Sequence, residues 1–215
     1  MSEKISPYAE IRDALMTGDL VIFQGLGWDS DVIMIVEMSR WTHVGMVVRE
    51  EGVAYPLLWE SFPFTFVDDV ILHRRKSGAR LVSLDERLAV GTEKKLFSRV
   101  AVRHLHVQRT PEIMAALHDF IAGRFHYLPY PGAWKILFDY LRGKIFREKK
   151  KRADEVQCAE LVAETYKRMG LLSGDTPSNS FVPKDFSSDG SLALQGGAEL
   201  EEERFLILDK EFAAG

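Results

Sequence analysis

The chain has 215 residues and a formal net charge of −4, which does not point to nucleic acid as a partner. Its hydrophobic fraction of 46% is enough for the core of one domain. The N-terminus lacks the apolar stretch of a secretory signal, and no run reaches the roughly 18 apolar residues of a membrane span. A single cysteine cannot form an internal disulfide. We therefore expect a cytoplasmic, single-domain protein.

The hydrophobic pattern predicts an α+β fold, with strands grouped in the first half of the chain and helices in the second. A strand pair is predicted at 43–49 and 55–61, joined by a turn around Glu51 and Gly52. Further predicted strands are 20–23, 81–82, 98–107 and 205–208. Predicted helices are 1–17, 29–39, 110–123, 133–146 and 154–170.

Cys158 falls in the first turn of the last predicted helix. Asp154 can cap this helix while Gln157 reaches back to it, and Gly170 marks its end. The helix dipole and the N–H groups of a first turn favour a thiolate and can hold a developing oxyanion. The alternative is that the cysteine is a small apolar filler of the core, which is common for a free cysteine.

His43 opens one strand of the predicted pair, and Glu60 lies in the other, inside the apolar run LLWESF. A glutamate in such a run needs a solvent-facing side or a partner. If the two strands pair, the carboxylate of Glu60 can approach the imidazole of His43. It would then orient the ring and stabilise its protonated form, as the third member of a catalytic triad does.

These residues together resemble the circularly permuted papain-like enzymes of the NlpC superfamily, in particular the YaeF/YiiX type, and more distantly lecithin–retinol acyltransferase. The motifs that carry the resemblance are GDLVIF at 18–23, WTHVGMVV at 41–48, Glu60, CAELV at 158–162 and SNSFVPKDF at 178–186. In that family the histidine precedes the acidic or polar residue and the cysteine comes last. The order His43, Glu60, Cys158 is similar.

The resemblance implies a permuted papain-like fold, with a central antiparallel sheet packed against the cysteine-bearing helix. It also implies that Cys158 attacks an amide or ester carbonyl, that His43 acts as base and then as acid, and that Glu60 orients His43. Residues expected near the pocket are Gln157, Trp41, Ser180 and Pro183. We expect no cofactor and no metal. Residues 63–110 are a possible insertion, and 190–215 a variable acidic tail.

The substrate stays open between peptide-like amides and lipid acyl groups, and the acceptor between water, an amine and an alcohol. The apolar segment 133–146 and the basic run that follows it to 152 could rest on an anionic membrane, although a core helix with a solvated loop explains them as well. Two other classes remain. One is a non-catalytic binding module on the same fold. The other is a metal site that uses His104 and His106, with His43, His73 or His126 nearby.

Overall fold

The computed structural model describes residues 3–26, 40–131 and 155–208. Its strands are β1 (Lys4–Pro7), β2 (Leu20–Gly25), β3 (His43–Val48), β4 (Leu57–Phe62), β5 (Asp68–Asp69), β6 (Arg74–Arg75), β7 (Gly78–Ser83), β8 (Phe97–Arg103), β9 (Leu105–His106), β10 (Glu199–Leu200) and β11 (Arg204–Ile207). Its helices are α1 (Tyr8–Ile11), α2 (Leu84–Glu93), α3 (Pro111–Ala122) and α4 (Cys158–Arg168). Short 3-10 turns lie at Arg12–Ala14, Arg124–Tyr127, Ser178–Ser180 and Pro183–Phe186.

Seven strands of the described chain form one central sheet in the order β1-β11-β8-β2-β3-β4-β7. Every neighbouring pair in it is antiparallel except β1 and β11, which are parallel. The predicted α+β fold, with a mostly antiparallel central sheet against the cysteine-bearing helix, is confirmed. Within the described ranges, no helix is both long enough and apolar enough to cross a membrane.

The sheet buries apolar side chains on both faces, because successive residues of a strand point to opposite sides. We call one side the α4 face. There α3 and α4 pack on the sheet, with a core that includes Ile22, Val44, Met46 and Trp59. We call the other side the α2 face. There α1 and α2 cover a second core of the sheet. This core includes Val21, Phe23, Val47, Leu58 and Val82.

The N-terminus differs from the predicted helix at 1–17. It forms strand β1, a single turn of α1 and a 3-10 turn, and β1 pairs with β11 at the far end of the chain. Tyr8, Ile11 and Leu15 are buried on the α2 face, so their helical spacing does reflect burial. The short strand could not be read locally, since its partner lies about two hundred residues away.

Residues 63–110, the possible insertion, contribute to the central sheet. They supply β7 at one edge of the sheet, β8 in its interior and helix α2 between them. The side-chain oxygen of Ser83 caps α2 by accepting from the N–H of Glu86. The acidic tail is also integral as far as residue 208, because β11 lies between β1 and β8.

Both helices of the α4 face, α3 and α4, were predicted from the sequence, and α4 begins later than predicted. Thr110 caps α3 by accepting from the N–H of Ile113. Helix α4 begins at Cys158, four residues after the predicted start at Asp154. Asp154 and the helices predicted at 29–39 and 133–146 lie outside the described residues. The N-cap is Gln157, whose backbone N–H donates to the Glu160 carboxylate at 3.4 Å.

Candidate functional site

The pairing of β3 with β4 brings two of the predicted site residues together. His43 opens β3, and Glu60 lies in β4, which runs antiparallel beside it. The Nε2 atom of His43 lies 2.7 Å from Oε2 of Glu60. The Glu60 side chain is fully buried and that of His43 is 8% exposed, so water hardly competes with this contact. The predicted approach of Glu60 to the His43 imidazole is therefore confirmed.

Two arginines that the sequence prediction does not include hold the other side of the Glu60 carboxylate. Arg80 stands opposite Glu60 in the register of β4 and β7, and its Nε and Nη2 donate to Oε1 at 3.0 and 2.5 Å. Arg87 comes from α2 and its Nε lies 3.1 Å from Oε1 and 3.3 Å from Oε2. An arginine inside the apolar run GARLVS is the one sequence signal that could have revealed this network.

Glu60 is ionised in this setting. Burial by itself raises the pKa of a carboxyl, but Arg87, Arg80 and the hydrogen bond from His43 outweigh it. Together they hold the pKa of Glu60 well below its ordinary value. The carboxylate is thus a permanent hydrogen-bond acceptor for the imidazole at neutral pH.

His43 is neutral at the same pH, because burial lowers the pKa of its imidazole and the nearby Glu60 raises it by less. Arg87 and Arg80 lower that pKa further. An ionised carboxylate can only accept, so the proton of the neutral ring sits on Nε2 and points to Glu60. The lone pair of the ring is then on Nδ1, which makes Nδ1 the basic atom.

Aromatic rings fix the plane of this imidazole. The Phe62 ring meets it edge-on with centroids 5.0 Å apart, and the Phe23 ring is tilted against it at 5.4 Å. The guanidinium of Arg87 lies over both of these rings, 4.2 Å from the Phe62 centroid and 4.9 Å from that of Phe23. His43 therefore has one orientation, set by a carboxylate and two rings.

Cys158 is the first residue of α4 and is 5% exposed. The segment before it is anchored at two points, of which one is on the sheet. The hydroxyl of Ser61, in β4, donates to the carbonyl of Val156 at 2.7 Å, and the N–H of Val156 donates to the carbonyl of Pro129 at 3.1 Å. The start of the cysteine helix is thus fastened beside Glu60, one residue along β4.

The alternation of the strands nevertheless separates the two halves of the predicted triad. His43 is paired with Phe23, a residue of the α2 face, and Glu60 with Arg80, next to Val82 of that face. Cys158 belongs to the core of the α4 face. His43 and Cys158 still lie at the same end of the sheet, because His43 begins β3 there and Ser61 fastens the segment before Cys158 to β4.

The four residues predicted to line a pocket lie on different segments of the chain. Gln157 caps the helix beside Cys158. Trp41 is buried on the α4 face, where it stacks on Phe205 with ring centroids 5.8 Å apart. The turn that contains Ser180 is fastened elsewhere, through Ser178, to two residues in the second half of α4, and Pro183 follows it.

The anchor of that turn lies well away from Cys158. Ser178 bonds to Glu164 and to Lys167, six and nine residues beyond the cysteine. At about 1.5 Å of rise per residue, this places the contacts roughly 9 to 14 Å along the helix. The turn that contains Ser180 is therefore anchored, through Ser178, on the second half of α4.

The histidines considered for a metal site have separate carboxylate partners. His104 Nδ1 lies 2.8 Å from Asp19, and His106 Nε2 lies 2.7 Å from Glu201. Across the described ranges, no group of three or more potential ligands is placed to hold a metal ion. A further histidine–carboxylate pair, which the sequence did not reveal, joins His126 and Asp69, with Nε2 of His126 lying 2.9 Å from the carboxylate.

Comparison with known proteins finds similarity at the level of the structure. No protein-family model matches the chain. No curated protein matches it either. The structure is similar to that of the metalloprotein YiiX from Escherichia coli O157:H7, with a TM-score of 0.46 and 16% sequence identity over 93% of this chain and 92% of the other.

Proposed function

We propose that this protein is a thiol hydrolase that cleaves an amide or ester bond through an acyl-cysteine intermediate on Cys158. The observation that carries the proposal is the buried contact of 2.7 Å between His43 and Glu60. It makes His43 a neutral, oriented base whose lone pair is on Nδ1. The start of α4, which carries the thiol, is fastened to the same end of the sheet by Ser61.

In the proposed reaction, Nδ1 of His43 takes the thiol proton of Cys158 as the sulfur attacks the carbonyl carbon. The carbon–sulfur bond forms and the carbonyl oxygen becomes an oxyanion, with the backbone N–H of Cys158 as its proposed donor. The bond to the leaving group then breaks, and the imidazolium returns the proton to the departing nitrogen or oxygen. Water, deprotonated by the same nitrogen, attacks the acyl-cysteine and regenerates the thiol.

The substrate class follows from the resemblance and not from the geometry. We propose a peptide-like amide or a lipid acyl group. An amine or alcohol in place of water would make the same site an acyltransferase. The segment proposed to contact an anionic membrane, 133–152, lies outside the described residues.

The placement of His43 and Cys158 on opposite faces of the sheet favours a second candidate, a non-catalytic binding module. In that case the Glu60 network stabilises the α2 face and Cys158 fills the core of the α4 face. The two candidates differ in one property. Only the hydrolase needs the thiol and the imidazole to react together.

The test is acyl-enzyme formation with a set of activated p-nitrophenyl esters of increasing acyl length. The hydrolase predicts release of nitrophenolate by the wild type, and an added acyl mass on the peptide that contains Cys158. Cys158→Ala abolishes both and His43→Ala lowers the rate, whereas His118→Ala, a half-exposed histidine paired with Glu50, leaves it unchanged. If Cys158→Ala turns the esters over at the wild-type rate, the thiol is not the nucleophile and the hydrolase proposal fails.

A further inference from the structure

The buried network around Glu60 carries more positive than negative charge. The side chains of Glu60, Arg80 and Arg87 are 0%, 1% and 3% exposed. One carboxylate thus faces two guanidinium groups, from β7 and from α2, and the His43 ring touches the same carboxylate. In a usual triad, the carboxylate is there to stabilise an imidazolium. Here its charge is already more than balanced.

The two arginines have different roles in this network. Arg80 donates from Nε and Nη2 to Oε1 of Glu60 and from Nη1 to the carbonyl of Phe64 at 2.6 Å, so it fastens β4 to the loop that follows. Arg87 bridges both carboxylate oxygens, and Oε2 is the oxygen that His43 uses. Of the two, only Arg87 therefore shares an acceptor atom with the imidazole.

Helix α2 is shaped to admit this guanidinium. Gly91 lies one turn beyond Arg87, and a Cβ there would come within 3.0 Å of Arg87 Nη1 and 2.2 Å of the Phe97 ring. Glycine inside a helix costs about 1 kcal/mol relative to alanine. The close approach of both Arg87 and Phe97 to this position gives a physical reason for glycine there.

We propose that Arg87 is a positioning residue for His43. By sharing Oε2 of Glu60 with the ring, it keeps the imidazole neutral and its proton on Nε2, so that Nδ1 is the only basic nitrogen. The charged groups that act on the ring are Glu60 from β4, Arg80 from β7 and Arg87 from α2.

The chemical consequence rests on the proposed function. An excess of buried positive charge opposes protonation of the imidazole. The resting site would then hold a thiol and a neutral imidazole rather than a thiolate and an imidazolium, and the proton would leave the sulfur only as it attacks.

The test is a pH titration of ¹⁵N-histidine-labelled protein by NMR, which reads the charge and tautomer of His43 without any substrate. The wild type is expected to show a neutral ring protonated on Nε2 throughout pH 6.5 to 8, with His43→Gln identifying the signal. Arg87→Met is expected to raise the midpoint of His43 titration by about one pH unit or more, and Arg87→Lys to restore most of the wild-type value.

The matched control is Arg12→Met, which removes a guanidinium from another acid of α2, Asp85, and is expected to leave His43 unchanged. A wild-type ring that is charged at pH 7, or protonated on Nδ1, overturns the proposal even if the Arg87 variants do not fold. So does an Arg87→Met protein whose His43 titrates as in the wild type. None of these readouts depends on Cys158, so a failed hydrolase assay leaves the result standing.

Discussion

Glu60→Gln removes the only negative charge from the buried network and leaves the shape of the side chain nearly unchanged. Two guanidinium groups that are 1% and 3% exposed are then left without a counter-ion. Removing one partner of a buried ion pair costs about 3 to 5 kcal/mol, because the remaining charge stays out of water. We expect a loss of this size, which is a large part of the roughly 5 to 15 kcal/mol that stabilises a typical domain.

The assay is urea unfolding followed by tryptophan fluorescence, with the slope and the midpoint both fitted. The control is Glu3→Gln, which removes a carboxylate that is 45% exposed and pairs with Arg99 at 2.6 Å. We expect the control to cost much less than Glu60→Gln, since exposed ion pairs contribute little. A Glu60→Gln protein that loses no more free energy of unfolding than Glu3→Gln would refute the buried-charge reasoning.

Three further predictions concern stability. Gly91→Ala should lower the free energy of unfolding by about 1 to 3 kcal/mol, because the new Cβ would lie 2.2 Å from a carbon of the Phe97 ring. The control Gly174→Ala should not lower it, since no atom lies within 4 Å of the added Cβ. Equal losses in the two variants would contradict the packing argument. Ser61→Ala leaves the buried carbonyl of Val156 without its donor and should cost about 1 to 3 kcal/mol in the same assay, and no measurable loss would show that this anchor contributes nothing. The difference in free energy of unfolding between the wild type and His43→Gln should be largest above about pH 6.5 and should shrink as the pH falls. The reason is that the pKa of His43 is lower in the folded than in the unfolded chain. A difference that grows in favour of the wild type toward acid pH would contradict this reasoning.

Local patterns were enough to predict the elements that position the site. The strand pair that carries His43 and Glu60 is confirmed, because alternating apolar residues around a glycine turn need no distant information. Helix α3 was likewise marked by its own cap at Thr110. The cysteine helix was predicted four residues too long at its start, where Gln157 replaces Asp154 as the cap.

The parts that the sequence did not reveal depend on contacts between distant segments. Strand β1 is defined by its pairing with β11, and Arg87 reaches Glu60 from a helix 27 residues further along the chain. The face on which a side chain lies also depends on register. Strand pairing alone predicts that His43 and Glu60 meet, but it cannot say which face the cysteine helix covers.

The rate of alkylation of Cys158 by iodoacetamide as a function of pH tests most directly whether His43 activates this thiol. The account predicts that His43→Ala slows the reaction at pH 7 by about tenfold or more, while His118→Ala follows the wild-type curve. Since the chain has one cysteine, the mass of the intact protein reports the reaction without ambiguity. Identical curves for the wild type and His43→Ala would contradict the account. His43 and Cys158 would then have separate structural roles on the two faces of the sheet.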